Sequence, residues 1–208
     1  MKNFDRKYLI DGKKFLAGTD EAGRGPLAGP VVAAAVILPD DFYDERINDS
    51  KQLTEKLRDE LFDIIIRNAL TYSYTIISHK KIDEINILKA SLLAMRTSVQ
   101  KLKIHPDIVL VDGHKIFRFN SEVVSVVKGD TKSLSIASAS IIAKVVRDRI
   151  MLKLSEKFPV YGWETNKGYP TKEHINALLK YGITPLHRKT FLKKIFERAN
   201  QTQIIFTE

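Results

Sequence analysis

The sequence of 208 residues contains no cysteine. Disulfides and thiolate zinc sites are thereby excluded, and the chain is compatible with a reducing compartment. It also lacks a long hydrophobic run. The longest, Val31 to Leu38, is far too short to span a bilayer, so no membrane role is expected. The opening residues Met1-Lys2-Asn3-Phe4-Asp5-Arg6-Lys7 hold no apolar signal-peptide core. Internal repeats, low-complexity tracts and Gly/Ser linkers are missing, which favours one domain spanning 1–208. The five histidines show no metal-ligand spacing. Acid is scarce relative to base, 25 residues against 34, and the net charge of +9 favours a polyanionic partner. The expectation is a monomeric cytoplasmic protein.

What is present is an ordinary globular composition, 44% hydrophobic and 28% charged, enough for a full core. Strands are expected over Phe15 to Thr19, Val31 to Leu38, Thr71 to Ile77, Asp107 to Gly113 and Glu122 to Val127. Thr54 caps a helix to about Asn68, whose apolar stripe is Leu57, Leu61, Phe62 and Ile65. Further helices are expected over Leu88 to Lys103, Ser133 to Glu156, Thr171 to Tyr181 and Arg188 to Asn200. The pattern predicts a mixed sheet flanked by helices, with a helical C-terminal portion from about 158 to 208.

Three of these strands end in acids: Asp20-Glu21, Asp112 and Asp130. Ligand sites in open α/β sheets lie beyond the carboxyl ends of strands, so these acids can gather although distant in sequence. A strand that breaks into a glycine turn after Thr19 would let Asp20 and Glu21 converge, whereas neighbours inside a regular strand point apart. Four converging carboxylates need cations, and an all-oxygen set selects Mg²⁺ or Mn²⁺ over zinc. Two such ions can clamp an in-line displacement at phosphorus. In Gly23-Arg24-Gly25 the glycines let backbone groups approach a phosphate or sugar closely, and the arginine adds a guanidinium. Taken singly, each acid also reads as a cap or turn residue, and Tyr169 as a surface aromatic under its turn.

Ordered blocks extend this pattern. They are Gly18-Thr19-Asp20-Glu21-Ala22-Gly23-Arg24-Gly25-Pro26, Asp49-Ser50-Lys51-Gln52-Leu53, Val111-Asp112-Gly113, Lys128-Gly129-Asp130 and Ile141 to Asp148. After them come Asn166-Lys167-Gly168-Tyr169-Pro170-Thr171-Lys172-Glu173-His174 and His187-Arg188-Lys189-Thr190-Phe191. From about Leu16 to Phe191 the chain resembles ribonuclease HII, the bacterial type 2 ribonuclease H. The resemblance implies a ribonuclease H-like α/β fold with Asp20, Glu21, Asp112 and Asp130 as catalytic residues holding two divalent ions. It implies that Gly23, Arg24 and Gly25 sense the RNA–DNA junction and that Tyr169 packs on the neighbouring sugar. The implied substrates are RNA–DNA hybrids and duplex DNA containing single ribonucleotides. Such a duplex is cut on the 5′ side of the ribonucleotide, leaving 3′-hydroxyl and 5′-phosphate ends. In the related ribonuclease HIII an extra N-terminal domain precedes the first acid, and here position 20 leaves no room for one.

Lys51 and Lys128 are substrate-binding candidates, and Lys144, Lys167 and Arg188 are further candidates for phosphate contact. Each of these cations also reads as solvated surface charge. Ser140 and Lys144 stand one helical turn apart, a spacing read as packing rather than as a nucleophile pair. Asp148 is left outside the metal shell, and His174 and His187 read as local hydrogen-bonding residues. The tail Gln203-Ile204-Ile205-Phe206 faintly resembles peptides that bind bacterial sliding clamps. Val111 to Phe117 departs from the family after Gly113, where a proline-containing loop is expected. Two rival readings are another ribonuclease H-like nuclease and a non-catalytic hybrid-binding protein. Cleavage of a duplex with one ribonucleotide separates all three.

Overall fold

The computed structural model describes residues 1–193 and 195–197. A five-stranded sheet forms the centre, built from β1 (Leu16–Ala22), β2 (Val31–Ile37), β3 (Thr71–Ile77), β4 (Ile108–Asp112) and β5 (Glu122–Val126). Their order across the sheet is β3-β2-β1-β4-β5. The pairs β1–β2 and β2–β3 are antiparallel, whereas β4 and β5 add in parallel beside β1. The helices are α1 (Lys2–Arg6), α2 (Glu55–Asn68), α3 (His79–Ile85), α4 (Ile87–Gln100), α5 (Leu134–Lys157), α6 (Trp163–Asn166) and α7 (Lys172–Tyr181). The mixed sheet, its flanking helices and the helical C-terminal part match the expected architecture.

Side-chain alternation divides the sheet into two apolar faces. Ala17, Ala33, Ala35, Val109 and Val111 pack with Met95 and Val99 of α4. Ala34 and Val36 pack instead with α2 and α5 through Leu61, Ile65, Ile141 and Ile142. The first half of α5 is small and apolar all round, so it can lie flat on the sheet. A Cβ on Gly18 would stand 2.2 Å from the Ser135 carbonyl carbon, so α5 and β1 touch backbone to backbone. Asp5 accepts from both the amide and the hydroxyl of Ser135, each at 2.9 Å, and so anchors α1 against the start of α5.

Two elements depart from the sequence reading. β1 does not break after Thr19; it continues to Ala22, because β2 offers Ala34, Ala33 and Val32 as partners for Asp20, Glu21 and Ala22. The expected convergence of two acids at a strand break is therefore corrected. The helix expected from Leu88 has a separate predecessor, α3, whose Ser78 cap accepts from the Lys81 amide at 3.3 Å. Asn86 ends α3 with φ +66° and caps α4 through its side chain. The C-terminal helix begins at residue 189, where Asp83 accepts from the amides of Lys189 and Thr190. The tail segment from 201 to 208 lies outside the described residues.

Candidate active site

A cavity of about 630 Å³ opens at the carboxyl ends of the parallel strands β1 and β4. Its walls include Asp20, Glu21, Asp112, Lys51, Lys144 and Tyr169, with the whole Gly23-Arg24-Gly25 turn. The fold thus brings together residues up to 149 positions apart in sequence. Asp20 pairs with Ala34 and so faces α5, whereas Glu21 pairs with Ala33 and faces α4. Both still line the cavity. Glu21 also borders, with Asp112 and His114, a neighbouring cavity of about 310 Å³.

The three carboxyl groups are crowded and only locally satisfied. Asp20 Oδ1 accepts from the Glu21 amide at 2.7 Å, and Asp112 Oδ1 from the Gly129 amide at 2.7 Å. Arg24 Nη1 donates to Glu21 Oε1 at 3.3 Å. Burial, followed by the charges of Glu21 and Asp112, pushes the Asp20 carboxyl well above the ordinary carboxylate range. Burial raises Glu21 to about 7, against the opposing pull of Arg24. Among the described residues, no three carboxylate or imidazole groups already stand together as an ion site. The donor set is nevertheless right for a hard divalent cation: buried oxygens, mutual repulsion and no nitrogen or sulfur competitor.

Asp130 sits just outside this wall, in the short turn Gly129–Thr131 after β5. Burial and the charge of Asp112 raise its pKa, and Lys51 Nζ lies 3.5 Å from its Oδ2. Lys51 is also 3.9 Å from Asp49, so this exposed ammonium spans the mouth of the site. Lys128 is exposed and lies outside the cavity wall, in a left-handed conformation with φ +55°.

The other cations divide sharply. Lys144 Nζ is held by Asp148 at 2.8 Å, and Arg58 approaches the same carboxylate at 3.8 Å. Asp148 is therefore a buried counter-ion for two cavity-wall cations. Ser140 bonds to Ser50 at 3.0 Å instead of to Lys144, which agrees with the packing reading. Lys167 turns its ammonium to the Glu164 carbonyl. Arg188 is fully buried, so it offers no surface for a phosphate. It donates to the carbonyls of Gly23, Arg24, Gly29 and Pro30 at 2.7–3.1 Å.

Arg147 is the residue that sequence reasoning missed. It is fully buried and donates to the carbonyls of Ala28, Pro30 and Lys167 at 3.0–3.4 Å. Its guanidinium carbon lies 5.7 Å from the Tyr169 ring centroid. Among the described residues neither buried arginine has a carboxylate partner at ion-pair distance. Burial lowers the pKa of both, Arg188 to about 9 with Arg147 as the second cause. Arg188 clamps the turn itself and Arg147 the segment after it, and both add positive charge beneath. Gly23, at φ +96°, has no room for a side chain, since a Cβ would stand 2.1 Å from Arg147 Nε. Gly25 is different: a Cβ there would meet Tyr169 Cε1 at an ordinary 3.5 Å. Its open, exposed face lies directly beside that ring.

Comparison with known proteins agrees with this geometry. The family model for ribonuclease HII matches residues 17–199. A ribonuclease HII of Acetivibrio thermocellus is 57% identical over 190 residues, covering 91% of this chain and 74% of the relative. The crystal structure of the ribonuclease H2 from Pyrococcus horikoshii OT3 superposes with a TM-score of 0.74 at 30% identity, over 89% of this chain and 98% of that one. An Archaeoglobus fulgidus RNase HII, solved in complex with PCNA, gives 0.69 at 28% identity, over 85% and 94%.

Proposed function

Because the chain belongs to the ribonuclease HII family and is a type 2 ribonuclease H acting on RNA–DNA hybrids, we propose that it also incises duplex DNA on the 5′ side of single embedded ribonucleotides. The observation that carries this reading is the placement of the Gly23-Arg24-Gly25 turn and Tyr169 in the same cavity wall as Asp20, Glu21 and Asp112. A carboxylate cluster alone would suit any nuclease of this fold. To select RNA, a site must also sense the 2′-hydroxyl, which both donates and accepts a hydrogen bond. The exposed Gly25 backbone can meet that hydroxyl without side-chain obstruction. The Tyr169 ring, 39% exposed, offers a flat surface for the following deoxyribose and would crowd a second 2′-hydroxyl.

Asp20, Glu21, Asp112 and Asp130 are the residues that would hold two divalent ions, Mg²⁺ or Mn²⁺. Bound there, such ions supply Lewis-acid charge at the phosphate and lower the pKa of water. The chain itself supplies three further things. Its raised carboxyl groups release their protons when a cation replaces them. Lys51 and Lys144 add positive charge beside the phosphate path. The buried arginines hold the turn at a fixed position before substrate arrives. The tail Gln203-Ile204-Ile205-Phe206 is proposed as a sliding-clamp contact, and unchanged clamp affinity after deletion of Gln201–Glu208 would refute that.

The test is cleavage of a duplex carrying one ribonucleotide, with Mg²⁺ and with Mn²⁺. A single cut that leaves the ribonucleotide on the 5′-phosphate end supports the proposal. Cleavage only of long RNA runs would assign the chain to hybrid hydrolysis alone.

A further inference from the structure

The Tyr169 backbone carbonyl meets His174, which in turn meets His187, and the hydrolytic chemistry uses neither imidazole. We propose that His174 and His187 form a neutral positioning unit that fixes the Tyr169 ring over the Gly23–Gly25 turn. The unit would serve the junction reading proposed above for Tyr169 and rests on it.

The hydrogen positions follow from obligate donors and acceptors. His187 Nδ1 receives the Thr184 backbone amide at 2.9 Å, and an amide can only donate. That nitrogen is therefore unprotonated, and the ring proton lies on Nε2. His174 Nε2 receives the Trp163 indole N–H at 3.1 Å, and an indole likewise only donates. The His174 proton is consequently on Nδ1, from which it donates to the Tyr169 carbonyl at 2.9 Å. The remaining contact, 3.1 Å between the two Nε2 atoms, is then a donation from His187 to His174. Trp163 and His187 then share the one lone pair of His174 Nε2, as the Thr184 amide and hydroxyl share that of His187 Nδ1, and the two rings must adopt opposite tautomers. A proton added to either ring would set N–H against N–H. Both rings are buried, at 0% and 1% exposure, between Trp163 and Tyr161. Burial holds both imidazoles below the usual histidine range, with His187 at about 4.

The pair also joins the two halves of the reader. The backbone at His187 bridges to Ala28, Arg188 donates to Leu27 at 2.7 Å, and Gly29 donates to Leu186 at 3.0 Å. The segment after the Gly-Arg-Gly turn is thus fixed to the histidine backbone, while the histidine side chain reaches Tyr169 through His174. Leu27 closes the loop by donating to the Gly168 carbonyl at 2.8 Å. Displacement of the pair would shift the ring relative to the turn, and a shift of about 1 Å near reacting groups can cost up to about a hundredfold.

Two measurements test the unit on the full chain. Long-range ¹H–¹⁵N correlation of ¹⁵N-histidine protein at pH 7 should show His187 as the Nε2–H tautomer and His174 as the Nδ1–H tautomer. Identical tautomers, or an imidazolium at either position, would overturn the proposal even if no variant folds. Kinetically, His187→Phe should lower the kcat/KM ratio, single embedded ribonucleotide over long hybrid, by about tenfold. His187→Gln, which keeps a donor near Nε2, should recover the ratio to within about threefold. In a Tyr169→Ala background, His187→Phe should cause no further fall. An unchanged ratio in folded His187→Phe, or an equal fall in the Tyr169→Ala background, refutes the unit. Should Tyr169→Ala itself leave the ratio unchanged, the junction reading fails, and the tautomers alone decide the positioning unit.

Discussion

The two halves of the cavity are built on opposite principles. On the carboxylate side, the buried side chains of Asp20 and Glu21 stand beside half-buried Asp112 without enough counter-charge, and burial pushes the first two toward the protonated form. On the turn side, Arg147, Arg188, His174 and His187 are more deeply buried, yet nearly all their polar atoms have partners; Arg147 Nη1 is the exception. Under the proposed function, the first half is completed by a cation. The second is complete before any substrate arrives. Loss of a group should therefore affect chemistry on one side, and position and stability on the other.

The largest effect is expected at Asp112. Asp112→Asn should lower hybrid cleavage by at least about a thousandfold with hybrid affinity retained or tightened, because it removes charge needed only for cation binding. Near-normal turnover at saturating Mg²⁺ in steady-state assays would break the assignment. On the other side, Arg188→Met removes a donor from four carbonyls, of which, among the described residues, only that of Pro30 keeps another, from Arg147. It should lower stability by about 3–5 kcal/mol, read from urea midpoints.

The glycines sharpen the comparison. Gly23→Ala meets both a left-handed backbone and the Arg147 side chain, and should cost about 2–3 kcal/mol. Gly25→Ala, with only an ordinary contact to Tyr169, should stay within about 0.5 kcal/mol of the parent in the same denaturation experiment.

A last effect, at Glu21, depends on pH. A carboxyl raised to about 7 in the fold, from 4.5 when unfolded, contributes stability below pH 4.5 that is lost as pH rises through 7. Metal-free protein at pH 8 should therefore carry a penalty of at most about 3 kcal/mol. Glu21→Gln cannot ionise, so in EDTA its Tm should exceed the parent's by about 3–6 °C at pH 8 and match it at about pH 4. Calorimetry across that range checks the sign, and Mg²⁺ should close the gap.

Much of this architecture was legible in the sequence. The apolar runs at Val31 and Ile108 could only be buried strands, and the small-residue face of Ser133 to Ala143 required close packing. The three acids of the cavity wall were legible from strand ends and from the family resemblance. Glu21 reaches the cavity wall by another route than the expected strand break, since β1 continues through it and two bordering cavities give it access. Arg147 and Arg188 were illegible, because a cation on a charged helix reads as solvated. Only the carbonyls of residues 23–30 and of Lys167, distant in sequence, give them a buried destination. His174 and His187 were recognised as hydrogen-bonding residues, but their pairing with each other depends on how α7 and the following loop pack.

The separation of cutting from reading is tested most directly by one ratio, kcat/KM on a singly embedded ribonucleotide divided by kcat/KM on a long hybrid. Glu21→Gln should slow both substrates alike and hold the ratio within about twofold, whereas Tyr169→Ala should lower it by at least about tenfold. Equal movement of the ratio in the two variants would contradict the division of labour within the cavity.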